Sequence, residues 1–276
     1  LGRAGYSGSR IGNRISRMQQ FRVVSEFESP IGANAPAQFY APMARRHMEL
    51  YGTTSEQFAQ VAVTMRNHAI LNENALMQTP LTVDMHHASR MIADPFRLLD
   101  CCLESDGGAA VVISGAERAQ DMSSPTVLLS GMAVGHPDSP STITQRPDMT
   151  RLGLAKAAAH AFAMAGVSHE EIDVAEIYDC FTYTVICQLE DLGFCDKGEG
   201  GAFVEHDRLS LHGALPTNTH GGLLSQAHVA GLNHVVELVR QLRGDGGLRQ
   251  VENATVGLVT GYGDLGDGSI AIMRAA

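Results

Sequence analysis

Apolar positions recur at helical spacing from Pro36 onward. Between Ala37 and Tyr51, residues Phe39, Met43, Met48 and Leu50 fall near one face and Gly52 closes the stretch, which predicts a helix. Thr53-Thr54-Ser55-Glu56 has the form of a capping box and opens a second predicted helix over about 55–71. Residues 83–93 predict a short helix closed before Pro95. The apolar run GAAVVIS at 108–114 is bounded by glycine, the pattern of a buried strand, and another strand is expected near 126–134. Helical periodicity returns over 152–165, ended by Gly166. Residues 174–177 read as a strand and 181–192 as an amphipathic helix stopped by Gly193. A glycine-dense loop is expected over 197–222, and 220–243 as the longest helix. Residues 255–260 and 269–274 predict a hairpin of two buried strands. Strands alternating with helices predict an α/β layered fold. Residues 1–35, rich in Gly, Ser, Arg and Asn, read as a surface loop or arm.

Composition narrows the class. With 276 residues, 44% hydrophobic and 18% charged, the chain holds one large domain or two modest ones. No run of about 18 apolar residues occurs, so no membrane span is expected. Twenty basic against thirty acidic residues, a net charge of −10, argue against a nucleic-acid partner. The five cysteines (Cys101, Cys102, Cys180, Cys187 and Cys195) contain no CxxC pair, which predicts neither a disulfide scaffold nor a zinc site and favours a reduced, cytoplasmic setting. The sequence opens at Leu1 with no initiator Met and no signal pattern, so the natural gene product is expected to extend upstream. No HExxH or GxSxG motif is present, and the neighbours His86 and His87 point apart, so no metal is expected.

Three segments combine glycine-dense loops with reactive side chains. Glu176-Ile177-Tyr178-Asp179-Cys180-Phe181 lies at a strand-to-helix junction, which presents side chains and free N–H groups to a cleft. Asp179 reads equally well as the N-cap of the next helix, and Tyr178 as a core ring. Asn218-Thr219-His220-Gly221-Gly222 leads on to His228. Its adjacent glycines leave N–H groups open to an anion or a carbonyl oxygen. His228 lies eight residues beyond His220, about two helical turns, so both can face one cleft. His228 is the candidate base; His220 and His234 read as supporting or surface residues. The third segment, Thr260 to Gly268, contains Tyr262 and four glycines, more than a turn requires, which implies close approach to a ligand or another loop. Cys101 and Cys102 read as core residues rather than nucleophiles.

Taken in order, these loops resemble the thiolase superfamily, in its sterol-carrier-protein-type and bacterial lipid-transfer-protein branch, over about 35–276. Cys102-Leu103-Glu104-Ser105-Asp106-Gly107-Gly108-Ala109-Ala110 is similar to the family's Ser/Asn-Asp-Gly-Ala-Ala segment. Tyr178-Asp179-Cys180-Phe181 stands where thiolases carry Asn-Glu-Ala-Phe and the sterol-carrier type His-Asp-Cys-Phe. Asn218 to Gly222 followed by His228 is similar to the Asn-x-x-Gly-Gly run leading to Gly-His-Pro, and Tyr262 falls at the second reactive Cys of the Cys-x-Gly-Gly-Gly loop. The resemblance implies a layered αβαβα fold, N-terminally incomplete. Residues 1–122 would be the remainder of the N-terminal half with its loop region, and 123–276 the C-terminal half. It implies an acyl-CoA enzyme, usually a homodimer, with coenzyme A as substrate and no other cofactor. Of its site, His228, Tyr178 and Tyr262 would be catalytic, and Cys102, Asp179, Asn218, His220, Gly221, Gly222 and Gly263 would line the substrate. The pantetheine arm would pass 102–107 and 130–137, with Arg10, Arg14 and Arg17 in the arm as partners for phosphate.

Three departures from the family pattern bear on the reaction. The family's nucleophilic Cys precedes Leu1, and no Cys occurs between Leu1 and Arg90. Tyr262 replaces the second Cys, and a phenol of pKa about 10 is a poorer base than a thiol. Tyr178 stands at the oxyanion side, where a phenol can donate a hydrogen bond or a proton. The reading placed first is acyl transfer of the thiolase type, Claisen condensation or thiolytic cleavage of a 3-oxoacyl-CoA, because His228 is retained. The second is retro-aldol cleavage of β-hydroxyacyl-CoA steroid side chains, using Tyr178 and Tyr262 with an OB-fold partner subunit. The third is a non-catalytic acyl-CoA-binding or scaffold subunit, against which His228 beside Gly221 and Gly222 speaks.

Overall fold

The computed structural model describes residues 2–5, 24–119, 121–138, 146–263 and 266–276. Its elements in chain order are β1 (Gly2–Gly5), α1 (Pro36–Tyr51), α2 (Ser55–Ile70), α3 (Val83–Ala88), β2 (Met91–Ala93), β3 (Phe96–Arg97), β4 (Asp106–Ala109) and the single turn α4 (Ala116–Ala119). They continue with β5 (Val127–Gly135), α5 (Leu154–Ala165), β6 (Val174–Glu176), α6 (Thr182–Leu192), the single turn α7 (Gly200–Phe203), α8 (Leu232–Arg243), β7 (Val256–Tyr262) and β8 (Gly268–Ala275).

The C-terminal hairpin organises the sheet. Side chains on β8 alternate, with Ile270 and Ile272 in the main core and Ala271 and Met273 packed against a second cluster on the other face. β7 and β5 flank β8 antiparallel, and β6 adds parallel to β7, giving the order β5-β8-β7-β6. On the Ile270 face lie α5 and α6. Every residue of α6 is buried, and through Tyr183 and Ile186 it joins Met43 of α1 and Phe58 and Met65 of α2. α8 covers the opposite face, where Leu238 and Leu242 meet Val174 and Val259. Helices on both faces of a mixed sheet make this an α/β fold. Among the described residues no helix is long and apolar enough to cross a membrane.

α5 approaches the sheet closely because small residues face each other. A Cβ on Gly131 would lie 2.3 Å from the Ala161 carbonyl oxygen, and one on Gly135 would lie 1.9 Å from that of Gly153. The glycines of the β7–β8 link serve the same end of the molecule. A Cβ on Gly268 would lie 2.4 Å from the Leu154 nitrogen, and the Gly153 N–H donates to the Gly266 carbonyl, so both glycines are packed against the start of α5. The spacing Gly261-x-Gly263-x-x-Gly266 joins two antiparallel strands here, so it opens no helix N-terminus to a pyrophosphate.

Four sequence expectations change. The cap of α2 is Thr54 with Gln57, not Thr53 with Glu56, because the Thr53 hydroxyl is taken by His47 Nδ1 at 2.8 Å. The helix expected over 83–93 stops at Ala88 and turns into the β2–β3 hairpin, with His86 held by Asp100 at 2.8 Å. The strand expected over 108–114 is confined to β4, whose partner is β1, a segment expected to be loop. Beyond Ala109 no neighbouring strand continues the ladder among the described residues, and Val112 and Ile113 stand 89% and 85% exposed. The long helix expected from 220 begins only at Leu232, because Gly221, Gly222, Ala230 and Gly231 all take positive φ. Arg10, Arg14 and Arg17 lie outside the described residues.

Replacing Gly131 or Gly135 by Ala should drive a methyl into the backbone of α5 or the residue before it. The expected loss is about 1–3 kcal/mol, read as a lower urea midpoint at unchanged slope.

Candidate active site

Three successive residues leave the end of β6, and each is held from a different direction. Asn218, itself at φ 52°, clamps Ile177 through its amide, accepting from the backbone N–H at 2.6 Å and donating to the carbonyl at 2.8 Å. The Tyr178 N–H donates to Thr260 Oγ1 at 2.9 Å, Thr260 donates to Gln188 Oε1 at 2.7 Å, and Gln188 Nε2 returns to the Tyr178 carbonyl at 2.6 Å. That closed ring fixes the tyrosine backbone between β7 and α6. The Asp179 carboxylate accepts from the backbone N–H groups of Leu223 and Leu224 at 2.8 and 3.3 Å, so it caps the turn at 222–226 rather than α6. Gly222 is required beside it, since a Cβ there would lie 2.0 Å from Asp179 Oδ2.

This frame presents three rings to one another. Tyr178 Oη lies 3.1 Å from His228 Nε2, and the Tyr262 ring stacks on Tyr178 with centroids 6.1 Å apart. The His228 backbone N–H donates to Ser105 Oγ at 2.6 Å, which ties the histidine to the segment before β4. Gly231 leaves room for the Tyr178 ring, where a Cβ would come within 2.9 Å of Cδ2. Burial pushes the His228 imidazole below its ordinary pKa, against the pull of the Asp179 carboxylate, so the ring is a neutral acceptor at neutral pH. Burial drives the Tyr262 phenol far above its ordinary range, so it holds its proton.

Behind the rings lies a buried charge cluster. His234, fully buried, sits 3.2 Å from Asp179 Oδ1 through Nε2 and 3.5 Å from Glu176 Oε2 through Nδ1. Burial alone would lower its pKa, but the two carboxylates outweigh that and hold it at about 9, an imidazolium. Glu176 is held well below the carboxylate range by His220 and His234, although burial works against this. Glu176, His220 and His234 also place three donor atoms within 4.8 Å, the spread of a metal site. The same three side chains form a buried ion network. The Asn233 amide donates to carbonyls of Gln226 and Ala227, so its NH₂ faces His220 Nε2 and leaves the His220 proton on Nδ1, toward Glu176. His234, between Asp179 and Glu176, is the cation of this network.

The structure therefore brings Tyr178, Tyr262 and His228 together, with Asp179 directly behind them. Asn218 holds backbone, His220 is buried against Glu176, and the Gly263 N–H donates to the Asp267 carbonyl at 3.0 Å. Gly221, at φ 103°, lets the chain pass Ala69. The half-buried Cys102 donates its N–H to the Cys180 carbonyl at 3.0 Å. His220 and His228 do not share a helix, since both precede α8 and Gly221 and Gly222 between them take positive φ. Sequence reasoning passed over Ser105, Gln188 and the central role of His234. Ser105 lies within the segment Cys102–Ala110 that carries the family resemblance, whereas nothing local marks Gln188. Each cysteine is pushed up by burial: Cys101 and Cys195 to about 12, and Cys102, Cys180 and Cys187 well above the thiol range.

Comparison with known proteins adds a lineage. A family model described as thiolase C-terminal domain-like matches residues 135–273. A 17-hydroxy-3-oxo-4-pregnene-20-carboxyl-CoA lyase from Mycobacterium tuberculosis is 39% identical over 86% of this chain and 64% of its own length. An acetyl-CoA acetyltransferase from Methanothermobacter thermautotrophicus is 40% identical over 87% of this chain and 63% of its own. The solved Ltp2-ChsH2(DUF35) aldolase superposes with a TM-score of 0.88 at 39% identity, covering 94% of this chain and 69% of that one. The chain spans less than two thirds of the length of these curated relatives.

Replacing His234 by Ala should leave two buried carboxylates without their cation, a loss of about 3–5 kcal/mol in urea unfolding. The His234 contribution is complete below its ordinary pKa of 6.5 and disappears as pH rises through about 9. The midpoint difference between wild type and His234→Gln should therefore shrink over that window. Glu176 works with the opposite sign: its contribution holds above its ordinary 4.5 and is lost on acidification.

Proposed function

The chain belongs to the thiolase superfamily, and on that footing we propose that it cleaves a carbon–carbon bond of a β-hydroxyacyl-CoA thioester by a retro-aldol step, with Tyr178 and His228 as its acid–base pair. The observation that carries the reading is the 3.1 Å contact between Tyr178 Oη and His228 Nε2. In the proposed step the substrate β-hydroxyl passes its proton to the phenol oxygen while the Tyr178 proton moves to His228. The Cα–Cβ electron pair moves into the thioester carbonyl, giving an enolate, and a ketone or aldehyde leaves. Tyr262 then protonates the α-carbon, and solvent exchange restores the starting protons.

Acyl transfer by this segment would need a thiolate, and burial holds all five cysteines in the thiol form. A retro-aldol step needs no covalent nucleophile. The lyase and aldolase relatives support the same reading and extend it to a steroid side chain held as a CoA ester. The ChsH2 chain of the solved aldolase supports a second subunit, the role the OB-fold partner fills in our reading. A homodimer and a reducing, cytoplasmic setting belong to the same proposal. The acetyltransferase relative keeps thiolytic acyl transfer as the competing reading.

Full-length protein should release ketone and shortened acyl-CoA from a β-hydroxyacyl-CoA, and should not thiolyse acetoacetyl-CoA with added CoA. The reverse result would establish acyl transfer. Tyr178→Phe and His228→Asn should each lower kcat/KM for cleavage by about 10²–10⁴-fold. Because burial lowers the His228 pKa, kcat/KM should stay level as pH falls to 6.5 and decline only below it.

A further inference from the structure

Arg146 is a buried cation that the mechanism above leaves unused. It is 7% exposed, and none of Nε, Nη1 and Nη2 has a hydrogen-bond partner among the described residues. The fold treats other buried guanidinium groups differently. Arg249 pairs with Glu237 at 2.7 and 3.0 Å, and Arg66 donates to Ser225 Oγ and the Thr79 carbonyl. Two acids share the hollow with Arg146 but are engaged elsewhere. Asp138 pairs with Lys156 at 2.5 Å, and Asp148 accepts from the Thr150 N–H and hydroxyl and lies 4.0 Å from Arg151. Five N–H donors held from water without an acceptor are costly, so their persistence calls for a partner that arrives with a ligand.

The place of the guanidinium indicates the ligand. It packs against Gly266, where φ is 79° and a Cβ would meet Nη1 at 2.1 Å. Gly266 belongs to the link that begins at Tyr262, and the cation draws the Tyr262 phenol back down against burial. That phenol, set beside Tyr40 and stacked on Tyr178, is a proton-bearing donor at the same end of the site. A cation beside a phenolic donor selects an anionic oxygen.

We propose that Arg146 binds the enolate oxygen left on the thioester when the carbon–carbon bond breaks, at the Tyr262 end of the site. This rests on the retro-aldol reading, so the test uses a ligand that needs no cleavage. Acetoacetyl-CoA ionises to a 1,3-dicarbonyl enolate with its own ultraviolet band. Full-length wild-type protein should raise the enolate fraction of the bound ligand. Arg146→Met should lower that enrichment roughly ten- to hundredfold, the worth of one charge-assisted hydrogen bond, and Arg146→Lys should keep part of it. Without ligand, Arg146→Met should melt at or above the wild-type temperature, because it removes an unpaired buried charge. No enolate enrichment by wild type, equal enrichment by Arg146→Met, or a lower melting temperature of unliganded Arg146→Met would each overturn the proposal. Arg146-dependent enrichment in a protein that fails to cleave β-hydroxyacyl-CoA would instead overturn the aldolase reading and leave the anion site standing.

Discussion

His234, charged and fully buried between Asp179 and Glu176, is the interaction on which the site depends. Two carboxylates three residues apart cannot both be buried ionised without a cation between them. The cation comes from the first turn of α8, so the chain from Asn218 to His234 must wrap over the end of β6 to deliver it. Each component is tolerable only with the others present. Thr219 extends the network, its hydroxyl lying 3.0 Å from Glu176 and 2.9 Å from Glu237, which in turn binds Arg249. The wrapping segment carries His228, so the cluster also sets where the candidate base stands.

The same arrangement divides the proton chemistry. Charge is collected behind Tyr178, where carboxylates and imidazolium neutralise one another. The front is left less polar: His228 is pushed toward its neutral form, and Tyr262 keeps its proton. An acceptor and a donor thus face the same space at neutral pH. The burial that makes these rings useful is also what silences the cysteines, since desolvation disfavours the charged form in both cases.

The chain states much of this locally. α5, β6, α6 and the β7–β8 hairpin follow from periodicity and glycine stops, because their apolar residues match the layers that cover them; β5 also follows from its apolar run, although Leu129, Met132 and Val134 stand exposed. The three loops that meet at the site are also visible, as glycine-dense segments with reactive side chains. The division of labour among their residues is not. Asn218 and His220 read in sequence as substrate-lining residues beside His228, yet Asn218 is consumed by the backbone of Ile177 and His220 by Glu176.

Sequence alone thus determined the helices and strands whose hydrophobic period matches their own burial, and the positions of the candidate side chains along the chain. Tertiary structure decided what depends on a distant partner. The run at 108–114 reads as strand, but a strand needs a neighbour for its N–H and C=O groups, and beyond Ala109 the described residues provide none. The pattern over 220–243 reads as helix, but positive φ at Ala230 and Gly231 breaks it, and the Tyr178 ring occupies the space a side chain at 231 would need. Charge state followed the same rule. Whether a histidine is acid or base, or an arginine paired or waiting, is set by atoms tens of residues away that only folding brings within hydrogen-bond distance.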